Sequence, residues 1–472
     1  MQLTKSDFLL YLEAPMHLWA KKHNLLERTA PSDFDQFIML QGQKVETLAN
    51  QYFTEIFMPI AKEGDSSSSQ PTFVDGSFEA RADKTMTIGA TGKTDIYEIK
   101  SSTEVKKEHI YDATFQMLII EKEKPVEHVY LLHLNADYIY DGHYVFDQMF
   151  VIEDITDKCR AIADEARELR EKALTEISQD DPSKVAHCYT PDKCPCPNLC
   201  HPNLPEHSIY TLPNLSKKKS DALLEDGIIK ISDIPEDFKL SPLQENHVRA
   251  VKENKAIIDL EAVKESLGKL SYPLYFLDYE TCNCALPLYP GYHPQQQMVF
   301  QYSLHIVNEK GEMTHSEYLA DKTGDPAIEL VKKLSSDIGD HGSVIVWNKT
   351  FETGRNAELA KMYPEFSDFL LDVNERIYDL AEIVRKGYYI DPAFSGSWSI
   401  KKVLPVLVPK LSYKDLAIGK GDLAMITWWD MVNAGNSMSE NVRSDIKEAL
   451  LRYCEMDTRA MVEIWKVVKT LF

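Results

Sequence analysis

The sequence has no run of about 18 consecutive apolar residues, the length that a helix needs to cross a bilayer, so it predicts no membrane-spanning helix. Its first residues, MQLTKSDFLLYLEAP, do not have the basic-then-apolar order of a secretory signal peptide. We therefore expect a cytoplasmic protein with no membrane partner, in which disulfides are rare.

Positive charge is also scarce, since 52 Lys and Arg residues stand against 74 Asp and Glu residues and give a formal net charge of −22. This excess of acid argues against a protein that attracts nucleic acid or an anionic membrane over its whole surface. It does not exclude an enzyme that neutralises acid clusters with divalent ions and contacts phosphates through a confined basic groove.

A chain of 472 residues is too long for one ordinary core and predicts two or three domains. Residues 1–204 have the strand and helix patterns of an α/β domain and end in a cysteine-rich segment, 188–200. Residues 205–270 predict a helical connector. From residue 271, apolar strands alternate with helices, which predicts a second α/β domain; a resemblance described below implies a mixed sheet with flanking helices for it.

Several local patterns give specific structural expectations. We predict one helix from Lys5 to His23, a second from Gly42 to Met58, and others over 107–122 and 153–178. The segment from Glu63 to Pro71 is rich in serine and predicts a loop. Asp141-Gly142 predicts the turn of a β-hairpin.

Two acids interrupt the apolar strand sequence YFLDYET. Asp278 and Glu280 are two residues apart, so on a strand they point to the same face. Burying a charge is costly unless it is paired or coordinates a metal. The pair therefore indicates a metal site.

Further candidates lie downstream of this pair. Asn348 and Glu352 follow the apolar strand VIVW, and Tyr453 and Asp457 are four residues apart on one helix face. Four carboxylates, those of Asp278, Glu280, Glu352 and Asp457, would suit two Mg²⁺ or Mn²⁺ ions about 3.5–4 Å apart, which cleave phosphodiesters. Such ions prefer oxygen ligands.

The segments LDYET, WNKTFE and YCEMD resemble, in this order, the three exonuclease motifs of the DEDD superfamily, which has an RNase H-like fold. The resemblance implies a 3′→5′ exonuclease in which Tyr453 positions the attacking water and Asn348 contacts the substrate. In one departure, Glu352 stands where the superfamily usually has Asp.

A second acidic pattern occurs in the segment ARADKTMTIGATGKTDIYEIKSS. Asp83 precedes a strand on which Glu98 and Lys100 share a face. Such acids would hold a divalent cation, while the lysine would orient water or stabilise the charge that develops on the phosphate. The alternative is an ordinary cross-strand charge pattern that faces solvent.

This pattern resembles the PD-(D/E)XK, restriction-endonuclease-like core, and most closely that of RecB-type nucleases with a cysteine cluster. The resemblance implies a role for Gln116, which matches their fourth motif, although Ile120 replaces a frequent tyrosine. Glu46 lies about where these nucleases carry a histidine and could bind metal. Lys106 and Lys107 are candidate phosphate contacts, as are Lys217–Lys219, although lysine runs are more often a solvated face.

Cysteines crowd the segment HCYTPDKCPCPNLCH, which holds Cys188, Cys194, Cys196 and Cys200 between His187 and His201. Such crowding indicates zinc or an iron–sulfur cluster. RecB-type relatives hold a 4Fe–4S cluster with three such cysteines and one near the N-terminus, where this chain has Ala14. Zinc bound by the four cysteines, or by three and one of the two histidines, is the alternative. We expect Cys282 and Cys284 to pack near the site rather than bind metal.

Together the two halves resemble an uncharacterised bacterial family that fuses a RecB-like domain to an RNase H-like exonuclease. The resemblance implies a metal-dependent nuclease that acts on nucleic acid, DNA rather than RNA, in repair or in defence against foreign nucleic acid. Two alternatives stay open. Only the C-terminal site cuts and the first domain is a nucleic-acid clamp, or neither site cuts and the chain is a binding component of a larger complex.

Overall fold

The computed structural model describes residues 2–26, 30–57, 62 and 64–472. The chain divides into two compact units, Met1–Asn203 with Cys284–Gln296, and Leu204–Asn283 with Gln297–Phe472. Both units combine helices with sheets, and this confirms the predicted α/β class. No helix among the described residues is both long and apolar enough to cross a membrane.

The described residues of the first unit form both helices and strands. Its helices α1 to α8 are Lys5–Glu13, Pro15–Lys22, Asp33–Tyr52, Lys107–Ile120, Phe146–Met149, Thr156–Ala161, Ala163–Ile177 and Pro197–Cys200. Its strands β1 to β8 are Leu3–Thr4, Ser66–Ser69, Thr72–Asp75, Phe78–Arg81, Lys84–Thr87, Thr94–Lys100, Val126–Leu134 and Phe150–Asp154.

Strand β6 is the centre of a five-stranded sheet in the order β2-β5-β6-β7-β8, in which the β6–β7 pair is parallel and the other pairs are antiparallel. Ile96 of β6 shares an apolar core with Phe115 of α4, whereas Tyr97 belongs to a separate core. Alternation along the strand therefore puts Glu98 and Lys100 on the same face as Ile96, at the carboxyl end of β6.

The second unit contains the longest helix of the described chain. Its helices α9 to α18 are Lys217–Glu225, Pro242–Glu253, Leu260–Leu267, Ala327–Asp337, Lys349–Met362, Ser367–Glu375, Glu382–Arg385, Ile400–Leu407, Gly421–Asn433 and Glu440–Lys469. Its strands β9 to β15 are Ile257–Ile258, Leu274–Asn283, Gln297–Val307, Met313–Leu319, Ser343–Val346, Ile377–Asp379 and Tyr389–Ile390.

Strand β10 is central in a mixed sheet of order β12-β11-β10-β13-β14, in which β11 is antiparallel to both neighbours and β10, β13 and β14 are parallel. Phe276 packs against Trp465 of α18, with ring centroids 5.8 Å apart, whereas Leu277 and Tyr279 belong to the core on the other face. Asp278 and Glu280 therefore continue the row of Phe276 on the α18 side.

Five local predictions differ from the structure in the first unit. The helix predicted from Lys5 to His23 is two helices, because Pro15 disfavours a helical conformation at Ala14, which is extended. The helix predicted over 153–178 is wrong in its first turn, where β8 extends to Asp154, and it is interrupted at Ile162. The helix predicted over 107–122 is confirmed as α4.

The serine-rich loop prediction is also wrong, because Ser66–Ser69 pairs with β5 as an exposed edge strand held by backbone bonds rather than by burial. The predicted hairpin at Asp141-Gly142 is wrong as well. Residues 135–145 form no strand, and Tyr138 is buried with its hydroxyl donating to the carbonyl of His143 at 2.9 Å.

The helix predicted from Gly42 to Met58 begins earlier than expected. It starts at Asp33, after the Ser32 side chain caps its first turn, and it ends at Tyr52, before a π-helical turn over Phe53–Phe57. Met58 lies outside the described residues.

A substitution at Gly342 would test how tightly the mixed sheet is packed. Its φ is +93°, and a Cβ atom there would lie 2.2 Å from the carbonyl oxygen of Pro273. Gly311 is a matched control, because its φ is +81° but a Cβ would meet nothing within 4 Å. We expect Gly311→Ala to cost about 1 kcal/mol through φ alone. Gly342→Ala should cost a further 1–3 kcal/mol or so through overpacking. If denaturant unfolding showed the same loss of unfolding free energy in both variants, it would contradict this packing.

Candidate metal-binding sites

Strand β10 and helix α18 bring acids together in the second unit. Asp278 is partly exposed, and Glu280 and Asp457 are each 9% exposed. One carboxylate oxygen each of Asp278 and Glu280 and the Sγ atom of Cys454 all lie within 4.8 Å of one another. The Sγ atom of Cys454 is 3.7 Å from Oδ2 of Asp278, so the helix contacts the acidic end of the strand directly.

Burial and mutual repulsion raise the pKa values of these acids. Burial raises the pKa of Asp278 well above its usual range, and the charges of Asp457, Glu280 and Glu352 raise it further. Burial likewise raises the pKa of Glu280, followed by the charge of Asp457. The four carboxylates therefore act on one another, and this arrangement favours protons or cations between them.

Glu352 is on the first turn of α13 and is 2% exposed. Burial raises its pKa to about 8, and the charge of Asp379 adds to this effect. Its Oε2 atom has no hydrogen-bond partner among the described residues. A buried carboxylate oxygen without a donor is an available ligand for a cation.

Lys401 and Tyr413 complete this site, and sequence reasoning missed both. Lys401 Nζ lies 3.2 Å from Oη of Tyr453, and the Lys401 charge opposes the rise in the pKa of Glu280 and of Asp457. The hydroxyl of Tyr413 donates to Oδ1 of Asp457 at 2.5 Å, while burial raises the pKa of Asp457 to about 6. Both residues come from segments between the motifs, where only the fold brings them near the acids.

Asn348 is the other predicted residue of this unit. It is exposed, directly before α13, and within the described chain its side chain forms no capping bond to that helix. It is therefore available to contact a substrate.

The first unit contains a second, more balanced cluster. Glu98 is fully buried, and its Oε1 accepts from Lys100 Nζ at 2.7 Å and from Lys5 Nζ at 2.9 Å. Its Oε2 accepts from Gln116 Nε2 at 2.8 Å. Lys100 also donates to Oδ2 of Asp112 at 2.6 Å. Glu98, Lys100 and Gln116, which the sequence predicted, therefore lie in one hydrogen-bonded network.

Sequence reasoning missed Lys5 and Asp112. Asp112 precedes Gln116 by four residues on α4, and its Oδ1 accepts from Gln116 Nε2 at 3.1 Å, so helical spacing was a usable signal. Lys5 is the first residue of α1, and its side chain bonds to Glu98, which is 93 positions further along the chain. No local pattern indicates such a contact.

The lysines change the electrostatics of this cluster. Burial alone would raise the pKa of Glu98, but the charges of Lys100 and Lys5 hold it well below its usual range. Asp83 accepts from the backbone N–H of Ile99 at 2.9 Å, and burial together with the charge of Glu98 raises its pKa to about 7. The Oε1 atom of Gln116 is buried without a partner in the described residues.

The other residues predicted for this unit lie around the network. Glu46 accepts from Gln70 Nε2 at 2.8 Å and, within the described chain, does not bond to Asp83 or Glu98. Lys106 lines a cavity of about 390 Å³ that also borders Lys100. Lys107 is exposed, with Nζ 5.5 Å from the ring centroid of Tyr111.

The cysteine segment and helix α2 form a third cluster. Cys194 Sγ lies 3.5 Å from Nε2 of His17, and Cys196 Sγ lies 3.8 Å from Sγ of Cys200. Cys188 Sγ lies 3.2 Å from Nε2 of His201. These cysteines and histidines could hold a metal ion. The sequence did not indicate His17, although it follows Ala14 by only three residues.

Three remaining residues of the sequence predictions are not among the grouped donor atoms of the described chain. Cys282 and Cys284 are buried, and His187 is exposed.

Comparisons with known proteins place part of the chain near uncharacterised relatives. A family model described as a domain of unknown function, DUF2779, matches residues 275–399. The uncharacterized protein MG366 homolog of Mycoplasma pneumoniae is 29% identical over 241 residues, which are 47% of this chain and 36% of that protein. Uncharacterized protein UU173 of Ureaplasma parvum is 26% identical over 46% of this chain and 34% of its own length. The matches thus span about a third of these relatives.

Two solved structures are similar over part of the chain. The crystal structure of SSO0001 covers 43% of this chain and 87% of its own, with 13% identity and a TM-score of 0.26. An alkaline exonuclease, LHK-Exo from Laribacter hongkongensis, covers 37% and 89%, with 17% identity and a TM-score of 0.25.

The raised pKa values in the second unit predict how its stability depends on pH. A folded-state pKa above the unfolded value of about 4 contributes stability that is complete below pH 4 and is lost as pH rises through the folded value. With folded pKa values of about 6 for Asp457 and about 8 for Glu352, we expect the chain in chelator to lose thermal stability from about pH 4 to pH 8.

The same measurement of thermal stability is repeated with metal added and with a matched control variant. Mg²⁺ or Mn²⁺ should raise the unfolding temperature more at the upper end of this range, because ligands must be deprotonated to bind. Asp457→Asn with Glu352→Gln should flatten the slope, because these two groups set the predicted pH range, whereas Asp445→Asn, on an exposed position of α18, should not. An unchanged slope in the double variant would contradict the assignment.

Proposed function

We propose that the chain is a divalent-metal-dependent nuclease whose main catalytic centre lies in the second unit. One observation carries the proposal. Asp278 and Glu280 lie beside Cys454 of α18, the charges of Asp457 and Glu352 act on Asp278, and the ammonium of Lys401 opposes the rise in the pKa of Glu280 and of Asp457. At neutral pH such a site holds protons or cations, and divalent ions that bind there would displace the protons.

Asp278, Glu280, Glu352 and Asp457 would hold Mg²⁺ or Mn²⁺, since the donor set is all oxygen and Oε2 of Glu352 is unpartnered within the described chain. Bound there, the ions would activate water and stabilise the leaving oxygen. Burial raises the pKa of Tyr453 far above its usual range, so its hydroxyl stays neutral and can hold a water molecule by hydrogen bonding. Lys401, 3.2 Å from that hydroxyl, fixes its position and adds positive charge.

The finer assignment rests on the motif resemblance. We assign the second unit to the DEDD class with Tyr in the third motif, and we assign 3′→5′ polarity on the same basis. A mixed sheet in which β11 runs antiparallel to its neighbours, with helices packed on it, fits the RNase H-like arrangement. The substrate is nucleic acid, and DNA is the first choice.

The test uses the intact chain with single- and double-stranded DNA and RNA, labelled at either end, in Mg²⁺ or Mn²⁺. We expect stepwise shortening from the 3′ end of at least one substrate. Asp278→Ala should lower the rate by at least about 100-fold, because losing even an outer-shell partner of a metal site typically costs 10–100-fold. Asp445→Ala is the matched control and should cut normally.

A wild-type chain that binds these substrates but shortens none of them with either metal would overturn the catalytic proposal. The chain would then be a nucleic-acid-binding component of a larger complex. Digestion that proceeds equally in Asp278→Ala would move the activity away from this site.

The first unit is proposed as a RecB-like, PD-(D/E)XK domain in which Asp83 and Glu98 would hold a divalent ion. Gln116 Oε1, buried and unpartnered in the described residues, fits such a site as an acceptor. A specific observation nevertheless favours the clamp alternative. Lys5 and Lys100 already neutralise Glu98, and an ion at Oε1 would have to compete with both ammonium groups.

The variant Glu98→Ala with Lys100→Ala distinguishes a second cutting site from a clamp. Removing both members of the pair keeps the net charge of the cluster, while Asp112 loses its bond to Lys100 and Lys5 loses its bond to Glu98. As a clamp, the unit should lose substrate affinity, measured by fluorescence anisotropy, while the hydrolysis rate at saturating substrate stays within about twofold. A large fall in that rate, or a second cleavage pattern that disappears with the variant, would show that this unit cuts as well. Glu104→Ala, at an exposed position nearby, is the control.

A further inference from the structure

The cysteine cluster has donor atoms that are close enough to share one ion. His17, Cys194, Cys196 and Cys200 each offer one donor atom, and these four atoms all lie within 4.8 Å of one another. They come from helix α2 and from the segment that contains α8, which are far apart in sequence. Cys196 and Cys200 are buried, and His17 is fully buried.

The spacing fits a single tetrahedral ion. For Zn–S bonds of about 2.3 Å and Zn–N bonds of about 2.05 Å, tetrahedral geometry puts two sulfur ligands about 3.8 Å apart and a sulfur and a nitrogen about 3.6 Å apart. The Cys196–Cys200 distance is 3.8 Å and the Cys194–His17 distance is 3.5 Å. In a 4Fe–4S cluster each cysteine binds a different iron atom, so the ligands lie farther apart than around a single ion. The four donor atoms here are too close together for such a cluster.

The other ring nitrogen of His17 is in keeping with this role. Nδ1 has no hydrogen-bond partner among the described residues, and the nearest charged group is Oε1 of Glu13 at 3.6 Å. Metal-binding histidines usually direct their second nitrogen at a carboxylate, a carbonyl or water, which fixes the tautomer. Glu13 is the last residue of α1, four positions before His17, and is well exposed, so it can move to bond with Nδ1.

We propose that His17, Cys194, Cys196 and Cys200 bind one structural zinc ion, and that His17 takes the place of the N-terminal cysteine that this chain lacks. The ion links α2 to the end of the first unit. Cys188, 3.2 Å from His201, forms a second group of three donor atoms with Cys194 and His201, and we assign the ion to the group of four. This inference does not depend on the proposed nuclease activity.

The experiment uses the intact chain, without a histidine tag and purified without oxygen so that an iron–sulfur cluster would survive. Elemental analysis measures zinc, iron and sulfide, and a chromophoric chelator measures zinc affinity. We expect about one zinc per chain and no visible cluster absorption. His17→Ala should weaken zinc binding by at least about 100-fold, more than the loss of an outer-shell partner. His187→Ala, an exposed histidine of the same segment, should bind as the wild type does.

His17→Cys keeps the inference testable if His17→Ala fails to fold. It should retain zinc, and the Co²⁺-substituted variant should gain thiolate-to-cobalt charge-transfer intensity relative to the wild type. Stoichiometric iron and sulfide in the wild type would overturn the proposal in favour of a cluster. Unchanged zinc affinity in His17→Ala, with loss in Cys188→Ser, would overturn it in favour of four cysteine ligands.

Discussion

The cost of burying carboxylates between a sheet and a helix is the constraint on which both units depend. In each unit, one face of a central strand begins apolar and ends in charged residues, and a helix covers that face. On β6, Glu98 follows Ile96 on the same face, and on β10, Asp278 follows Phe276. The apolar part holds the helix against the strand, and this packing denies water to the acids at the end of the row. Something other than water must then compensate their charge.

The two units meet this requirement differently. In the first, two lysines reach Glu98, and the low pKa of Glu98 shows that the protein itself supplies the compensation. In the second, acids outnumber the nearby Lys401, and their raised pKa values show a deficit of positive charge. A deficit of this kind is a disadvantage for stability and an advantage for a site that must attract divalent ions. The same contrast explains why we assign catalysis to the second unit and leave a clamp as a specific alternative for the first.

The sequence was sufficient wherever a short periodicity determined the geometry. Spacing of two along β10 and spacing of four along α18 indicated which side chains share a face, and the α/β order followed from the strand and helix patterns. It was insufficient for contacts that join distant segments, such as Lys5 with Glu98, Tyr413 with Asp457 and His17 with Cys194. The predicted hairpin at Asp141-Gly142 failed for a related reason, since a local turn signal does not reveal that neighbouring aromatic side chains are buried elsewhere in the core.

The three clusters differ in donor chemistry, and this difference allows one chain to hold different ions. The acids of the second unit offer oxygen only, which suits Mg²⁺ and Mn²⁺, whereas the cysteine cluster offers sulfur and an imidazole nitrogen, which suit zinc. Zinc would bind strongly to an open oxygen site as well, so selectivity requires that the sulfur site bind it more tightly. Two buried thiols, the partly exposed Cys194 and a histidine already fixed by helix α2 provide that preference, because little conformational freedom is lost on binding. The proposed zinc site would then retain its ion, while the proposed catalytic site would exchange with the metal pool of the solution.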